Sequence, residues 1–243
     1  MSEERQSRYR PALESTELVS MAGATLGSLS QAELDIFTGG LRSKSAKLLS
    51  IVKDREELTE GDFNTFFGSF LSARRHTKEI LSGNSMEHLN AALKSLRVSS
   101  IEPNVSIQRF SSLSGAPAGA LEDVAMEAVH FLNPDRFGLC TRWVFNPENG
   151  KGALSGAVRG EVPSGFTARQ ALLQEARRVV ESAGYNTHGF YGLDVMCSLA
   201  YAGGIMGAKD SSMNSGGMEA LFPNSTVLAA MILGIRREIL AHT

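Results

Sequence analysis

The chain has 243 residues, with 24 Lys and Arg against 26 Asp and Glu, a formal net charge of −2. That length fits one large domain or two small ones, and the balance withholds the basic field that holds many proteins to nucleic acid. With 42% apolar and 21% charged residues, the chain as a whole is not disordered, collagenous or a coiled coil.

The N-terminus, MSEERQSRYRPALES, mixes both charge signs and lacks the apolar core of a secretory signal. Ser30-Gln-Ala-Glu33 reads as a capping box, with Leu34, Phe37 and Leu41 following at helical spacing. Gly39-Gly40 interrupts that pattern, and a second helix carries Ala46, Leu48, Leu49 and Val52. Thr59-Glu-Gly-Asp62 opens another helix, whose one face holds Phe63, Phe66, Phe67, Phe70 and Leu71. These phenylalanines read as a core stripe rather than a base-stacking platform, which needs a basic groove beside it. A further helix starts near Ser85 and carries Leu89, Ala92, Leu93 and Leu96. The first hundred residues are all-α.

The Ser/Gly/Pro-rich stretch Ser111–Gly119 marks a boundary or a tight hairpin. It divides an N-terminal helical part, 1–110, from a second helical part, 111–243, within one compact unit. A helix over Leu121–Leu132 is stopped by Asn133-Pro134, and Phe137–Gly165 is irregular, with a short extended piece at Trp143-Val144-Phe145. Thr167-Ala-Arg-Gln170 caps a helix with the stripe Ala168, Leu172, Ala176, Val179 and Ala183. Another helix runs from Leu193 to Ile205, and Gly207–Gly217 is a Gly/Ser/Met-rich loop and a candidate binding element. A closing helix from Ser225 to about Leu240 is apolar nearly all round and belongs in the core. The total is about eight or nine helices.

Most enzyme signatures are absent. Cys140 and Cys197 are too few for a disulfide framework and too far apart for a CxxC motif. The five histidines never pair at the i,i+4 spacing of a helical zinc site, so no metal or other cofactor is expected. Gly150-Lys-Gly152-Ala-Leu-Ser-Gly156 reads as GxGxxxG, superficially like a dinucleotide loop, but Asn146-Pro147 precedes it where a strand would be needed, so it reads as a turn. Met206, Met213 and Met218 read as packing filler. His130, between Val129 and Phe131, reads as a core histidine. Asp194 reads as a first-turn charge of its helix, or more sharply as a buried catalytic carboxylate. The longest apolar run, Thr226–Ile235, is too short to span a membrane, and the chain reads as cytoplasmic.

One continuous region carries a family likeness: Leu113-Ser-Gly-Ala-Pro-Ala-Gly-Ala120, the helix Leu121–Leu132, and Asn133-Pro-Asp-Arg-Phe-Gly-Leu-Cys-Thr-Arg-Trp-Val144. It resembles the helix-hairpin-helix DNA glycosylase superfamily, which implies a glycosylase-like arrangement of the helices. The resemblance implies a hairpin at Gly115 whose backbone N–H groups approach a DNA phosphate. Pro117 stands where the second hairpin glycine would be and cannot donate. The catalytic lysine of bifunctional members would fall at Gly119, and the superfamily's aspartate at Thr141. Neither residue can do that work. The nearest ionisable groups, Asp135, Arg142 and Lys151, need a shifted alignment, and an enzyme would need Lys151 or Asp194 to replace the missing catalytic pair.

The reading that follows is a non-catalytic binding or interaction protein on a degenerate glycosylase-like scaffold. The alternative is a DNA glycosylase or another DNA-repair enzyme acting on a damaged base. The segment Arg136–Lys151 is the expected working surface, with Gly115, Arg136, Arg142, Trp143 and Lys151 as its binding residues. The partner is a protein or DNA, and no membrane is involved.

Overall fold

Helix starts are set locally wherever a short polar side chain can take up an orphan backbone N–H. In the computed structural model, which describes residues 12–54, 56–212 and 224–236, Ser30 and Thr59 each cap a helix through a complete capping box. Ser85 and Asn224 cap two more by accepting from the N–H groups of His88 and Val227. Ten α-helices result among the described residues: α1 (Ser15–Ala24), α2 (Gln31–Lys53), α3 (Glu60–Gly68), α4 (Thr77–Gly83), α5 (Met86–Ser95), α6 (Pro103–Ser111), α7 (Ala118–Leu132), α8 (Phe166–Ser182), α9 (Tyr191–Ser212) and α10 (Ser225–Leu233). With 65% helix and 2% strand the chain is all-α. Among the described residues two strands, β1 (Ala12–Leu13) and β2 (Val158–Arg159), form one antiparallel pair that Arg159 and Glu14 join by an ion pair.

Several elements differ from the sequence expectation. The helix α2 runs unbroken through Gly39-Gly40. Gly40 is buried and flanked by the core residues Phe37 and Leu41, so packing outweighs a propensity cost of about 1 kcal/mol per glycine. The helix α8 starts one residue after Gly165 with no side-chain cap. Gln170 cannot close a box there because it turns inward, accepting from the Gly138 N–H and donating to the Gly138 carbonyl. Its buried face is Phe166, Leu172, Leu173, Ala176 and Val180, leaving Ala168 and Ala183 exposed. Trp143-Val144-Phe145 is a turn, closed by the Val144 and Phe145 N–H groups on the Thr141 carbonyl, and the strand lies at 158–159 instead. Residues 207–212 of the expected Gly/Ser/Met loop continue α9, while 213–217, with Met213, and Met218 beyond them, lie outside the described residues. The helix α10 ends at Leu233, with Gly234 left-handed as its stop, and residues 237–240 of the expected closing helix lie outside the described residues.

The helix α7 is the centre of the fold. Every residue from Ala120 to Leu132 except Glu122 is buried, and α6 and α2 pack against it. The helices α9 and α10 pack on each other and α9 on α2, while α8 packs on α1. Phe63, Phe66, Phe67, Phe70 and Phe110 form a buried aromatic cluster beside α7, with ring centroids 4.9 to 6.5 Å apart. Each ring contributes roughly 1.5–3 kcal/mol by leaving water. Among the described residues no helix is long and apolar enough to cross a membrane.

Candidate functional site

An apolar core helix should carry few charges, yet α7 buries three ionisable groups in one line: Asp123, Glu127 and His130, at i, i+4 and i+7. Each is met by an opposite partner from a different part of the chain. Asp123 accepts from the Arg142 backbone N–H at 2.8 Å and from its Nε at 3.0 Å. Glu127 accepts from Lys44 Nζ of α2 at 2.6 Å. His130 Nε2 lies 2.9 Å from Asp194 Oδ2 of α9, too obliquely for a good hydrogen bond, while its Nδ1 lies 2.7 Å from the Phe137 carbonyl. With a carboxylate oxygen beside one ring nitrogen and a carbonyl oxygen beside the other, the surroundings favour the imidazolium.

The environments shift these groups in consistent directions. Burial pushes the Asp123 carboxyl above the usual range, against the opposing pull of Arg142. Burial likewise raises Glu127, with Lys44 opposing. Burial works to lower His130, but Asp194 and the Phe137 carbonyl outweigh it and hold the ring above its ordinary value. Lys44 is further satisfied by the Leu233 carbonyl at 2.8 Å and sits 4.4 Å from the Phe131 ring centre. Its ammonium thus stands at the C-terminal end of α10, where the helix dipole favours a cation.

The outer end of this polar line opens into a pocket of about 580 Å³. It is lined by Leu71–Arg75 without Ala73, by Asp123 and Glu127 of α7, by Thr141, Arg142, Trp143 and Asn146, and by Tyr201 of α9. Trp143 and Tyr201 are half-buried neighbours, with ring centroids 6.1 Å apart and planes inclined at 45°. Arg74 and Arg75 are exposed, and among the described residues neither has a carboxylate partner; Arg75 Nε donates to His76 Nε2 at 3.0 Å. Thr141 is 1% exposed, and its hydroxyl finds no hydrogen-bond partner. A buried hydroxyl left alone costs about 1–3 kcal/mol.

The sequence-derived residues divide between this pocket and other places. Arg142 and Trp143 line it, as does Thr141. Gly119 lies directly beneath Arg142: a Cβ there would sit 2.4 Å from Arg142 Nη1, so the missing side chain is what admits the guanidinium. Gly115 belongs to the turn between α6 and α7. It has φ +91°, and a Cβ would meet the Glu79 carbonyl oxygen of α4 at 2.2 Å. That turn is pinned to α4 by Asn84, which accepts from the Ser114 N–H and donates to its carbonyl, both at 3.0 Å. Arg136 is tied to the Ser100 carbonyl and lies over the Phe137 ring. Lys151 is exposed in a glycine turn, where its carbonyl accepts from the Asn146 N–H at 2.7 Å. Asp194 is buried against His130 and does not line the pocket.

Sequence reasoning missed Asp123, Glu127, Lys44, Arg74, Arg75 and Tyr201. The signal for the first two was present: carboxylates four apart on the inward face of an otherwise apolar helix. Chemically, the pocket offers guanidinium groups, carboxylates, two aromatic rings and the hydroxyls of Ser72 and Thr141. Both Asp123 oxygens are engaged by Arg142. Cys140 is fully buried, and burial pushes its thiol up to about 12. No group of three or more His, Cys, Asp or Glu suited to a metal ion occurs among the described residues. Comparison of the chain with protein-family profiles, with curated proteins and with solved structures finds no match in any of the three.

Proposed function

We propose that the protein is a non-catalytic binding protein on a helix-hairpin-helix glycosylase-like scaffold, with the Arg142–Trp143 pocket as its working site. One observation carries the reading. The two positions at which the resemblance expects a lysine and an aspartate meet at a single pocket, and both are unreactive. Thr141 lines that pocket, and Gly119 lies under Arg142, which also lines it. The space above Gly119 holds a guanidinium that Asp123 locks from its backbone N–H and its Nε, and an arginine does not serve as an amine nucleophile. Neither Lys151 nor Asp194 stands in for the pair, because neither lines the pocket.

The test is chemical. The chain is incubated in excess with duplex DNA carrying uracil, 8-oxoguanine, an alkylated purine or an abasic site, with and without borohydride. No base release and no trapped covalent adduct are expected. Base release, or an adduct under reduction, would overturn the non-catalytic reading and restore the DNA glycosylase alternative.

A further inference from the structure

We propose that the pocket takes a free small molecule joining a planar ring to a phosphate monoester, with a nucleoside monophosphate as the representative ligand. The proposal rests on the binding reading above and names the ligand class of the same site.

Three independent features point to that class. The first is charge. Of the lining's arginines, Arg142 is neutralised by Asp123, and among the described residues Arg74 and Arg75 have no carboxylate partner; Glu127 of the lining is taken up by Lys44 behind it. Two adjacent guanidinium groups suit a dianionic phosphate, which can accept from both. The second is shape. Trp143 and Tyr201 present inclined, half-buried rings along a pocket of about 580 Å³, a volume within the range of small-molecule sites. Ring faces of that kind stack on planar heterocycles without demanding one particular base. The third is an unmet polar group. The Thr141 hydroxyl is buried and has no protein partner, although it can donate or accept. A native protein rarely leaves such a group alone unless something else completes it.

The same features set the ligand's orientation. Asp123 and Glu127 line the pocket but occupy Arg142 and Lys44, so the phosphate lies toward Arg74 and Arg75. The ring then packs along Trp143 and Tyr201, and its polar edge reaches Thr141. The chemistry could equally come from a nucleotide inside a polymer, so the experiment separates the two sources.

Trp143 is the chain's only tryptophan, so its emission reports directly on occupancy. Titration with AMP and with UMP is expected to change that emission with a Kd below 1 mM, confirmed by calorimetry. Adenosine and inorganic phosphate, each carrying half of the recognition, are expected to bind at least tenfold more weakly than AMP. A single-stranded oligonucleotide is expected to bind no more tightly per site than AMP. By calorimetry, Arg74→Ala with Arg75→Ala should weaken AMP about tenfold or more while leaving adenosine unchanged. Trp143→Ala should weaken both ligands by about tenfold. Thr141→Val, which keeps the side-chain shape, should weaken AMP without lowering the midpoint of unfolding. The arginines are exposed, so their loss does not threaten the fold. Absence of AMP and UMP binding at 1 mM, binding of the oligonucleotide alone, or affinities indifferent to the arginine pair would each overturn the proposal. None of these outcomes involves base release, so the proposal can fail while the non-catalytic reading stands.

Discussion

Asp194→Ala is expected to lower the free energy of unfolding by about 3–5 kcal/mol, because it strands a buried charge while leaving its partner in place. His130 is wholly buried among Phe131, Tyr191 and the α7–α9 contact, with Asp194 Oδ2 2.9 Å from its Nε2. Its folded pKa is raised above the ordinary 6.5. A raised histidine contributes stability that is fully present below the unfolded pKa and is lost as pH rises through the folded one. Without Asp194 only the Phe137 carbonyl and Glu127 remain to oppose the burial that lowers the ring pKa, and most of that contribution disappears. Urea denaturation at pH 6 and pH 8.5 should therefore show a larger gap between wild type and variant at pH 6. Burial raises Asp123 and Glu127 as well, and these groups add a loss of stability with rising pH of the same sign. They are present in both proteins, so the difference between the two isolates His130. The double variant His130→Leu/Asp194→Leu is expected to be less destabilised than the sum of its single variants, since an apolar pair needs no compensation. A cost for Asp194→Ala under 1 kcal/mol, or a gap independent of pH, would mean that the pair is not charged in the folded state.

What the sequence disclosed follows from the range of the interactions. The caps at Ser30, Thr59 and Ser85 join residues three apart, so their starts are visible in any window. The continuity of α2 through Gly39-Gly40 depends on core contacts elsewhere, which no local window contains. Arg142 and Trp143 stood out because conspicuous side chains in an irregular segment between helices have few structural reasons to be there. Asp123 and Glu127 did not, because carboxylates four apart on a helix usually mark a solvated face. What turns them inward is a pair of cations 19 and 83 residues distant, Arg142 and Lys44. Asp194 shows the same limit from the other side. As a first-turn charge of an apolar helix it was noticeable, but its partner His130 lies on α7, and the contact of α7 with α9 decides its surroundings. Arg74-Arg75 looks like an ordinary exposed basic pair until Trp143 and Tyr201 are brought beside it.

Gly115 in the α6–α7 turn and Gly119 in the first turn of α7 separate a structural requirement from a site requirement. Gly115→Ala is expected to cost more than about 2 kcal/mol, since a non-glycine residue in a sparsely populated backbone region alone costs of order 1–3 kcal/mol. Its φ is +91°, and the added Cβ would meet the Glu79 backbone oxygen at 2.2 Å, so α4 or the whole turn would have to move. Gly119→Ala introduces an equally short contact, 2.4 Å, but against Arg142 Nη1. That atom is the end of a flexible side chain whose pair is 32% exposed on the arginine side, so it can swing toward solvent. Alanine also gains about 1 kcal/mol of helix propensity over glycine in the first turn of α7. The net change in stability for Gly119→Ala is therefore expected to be within about 1 kcal/mol of zero. The consequence lies in the pocket. A displaced guanidinium gives up its Nε bond to Asp123, which keeps only the Arg142 backbone N–H. Urea unfolding of the two variants, with Trp143 emission followed in the native baseline, distinguishes these outcomes. Gly115→Ala should shift the midpoint with little change in native emission, and Gly119→Ala should change native emission with little shift in midpoint. Equal destabilisation by both would mean that Arg142 is held as firmly as backbone, making its pair with Asp123 part of the framework rather than of an adjustable site.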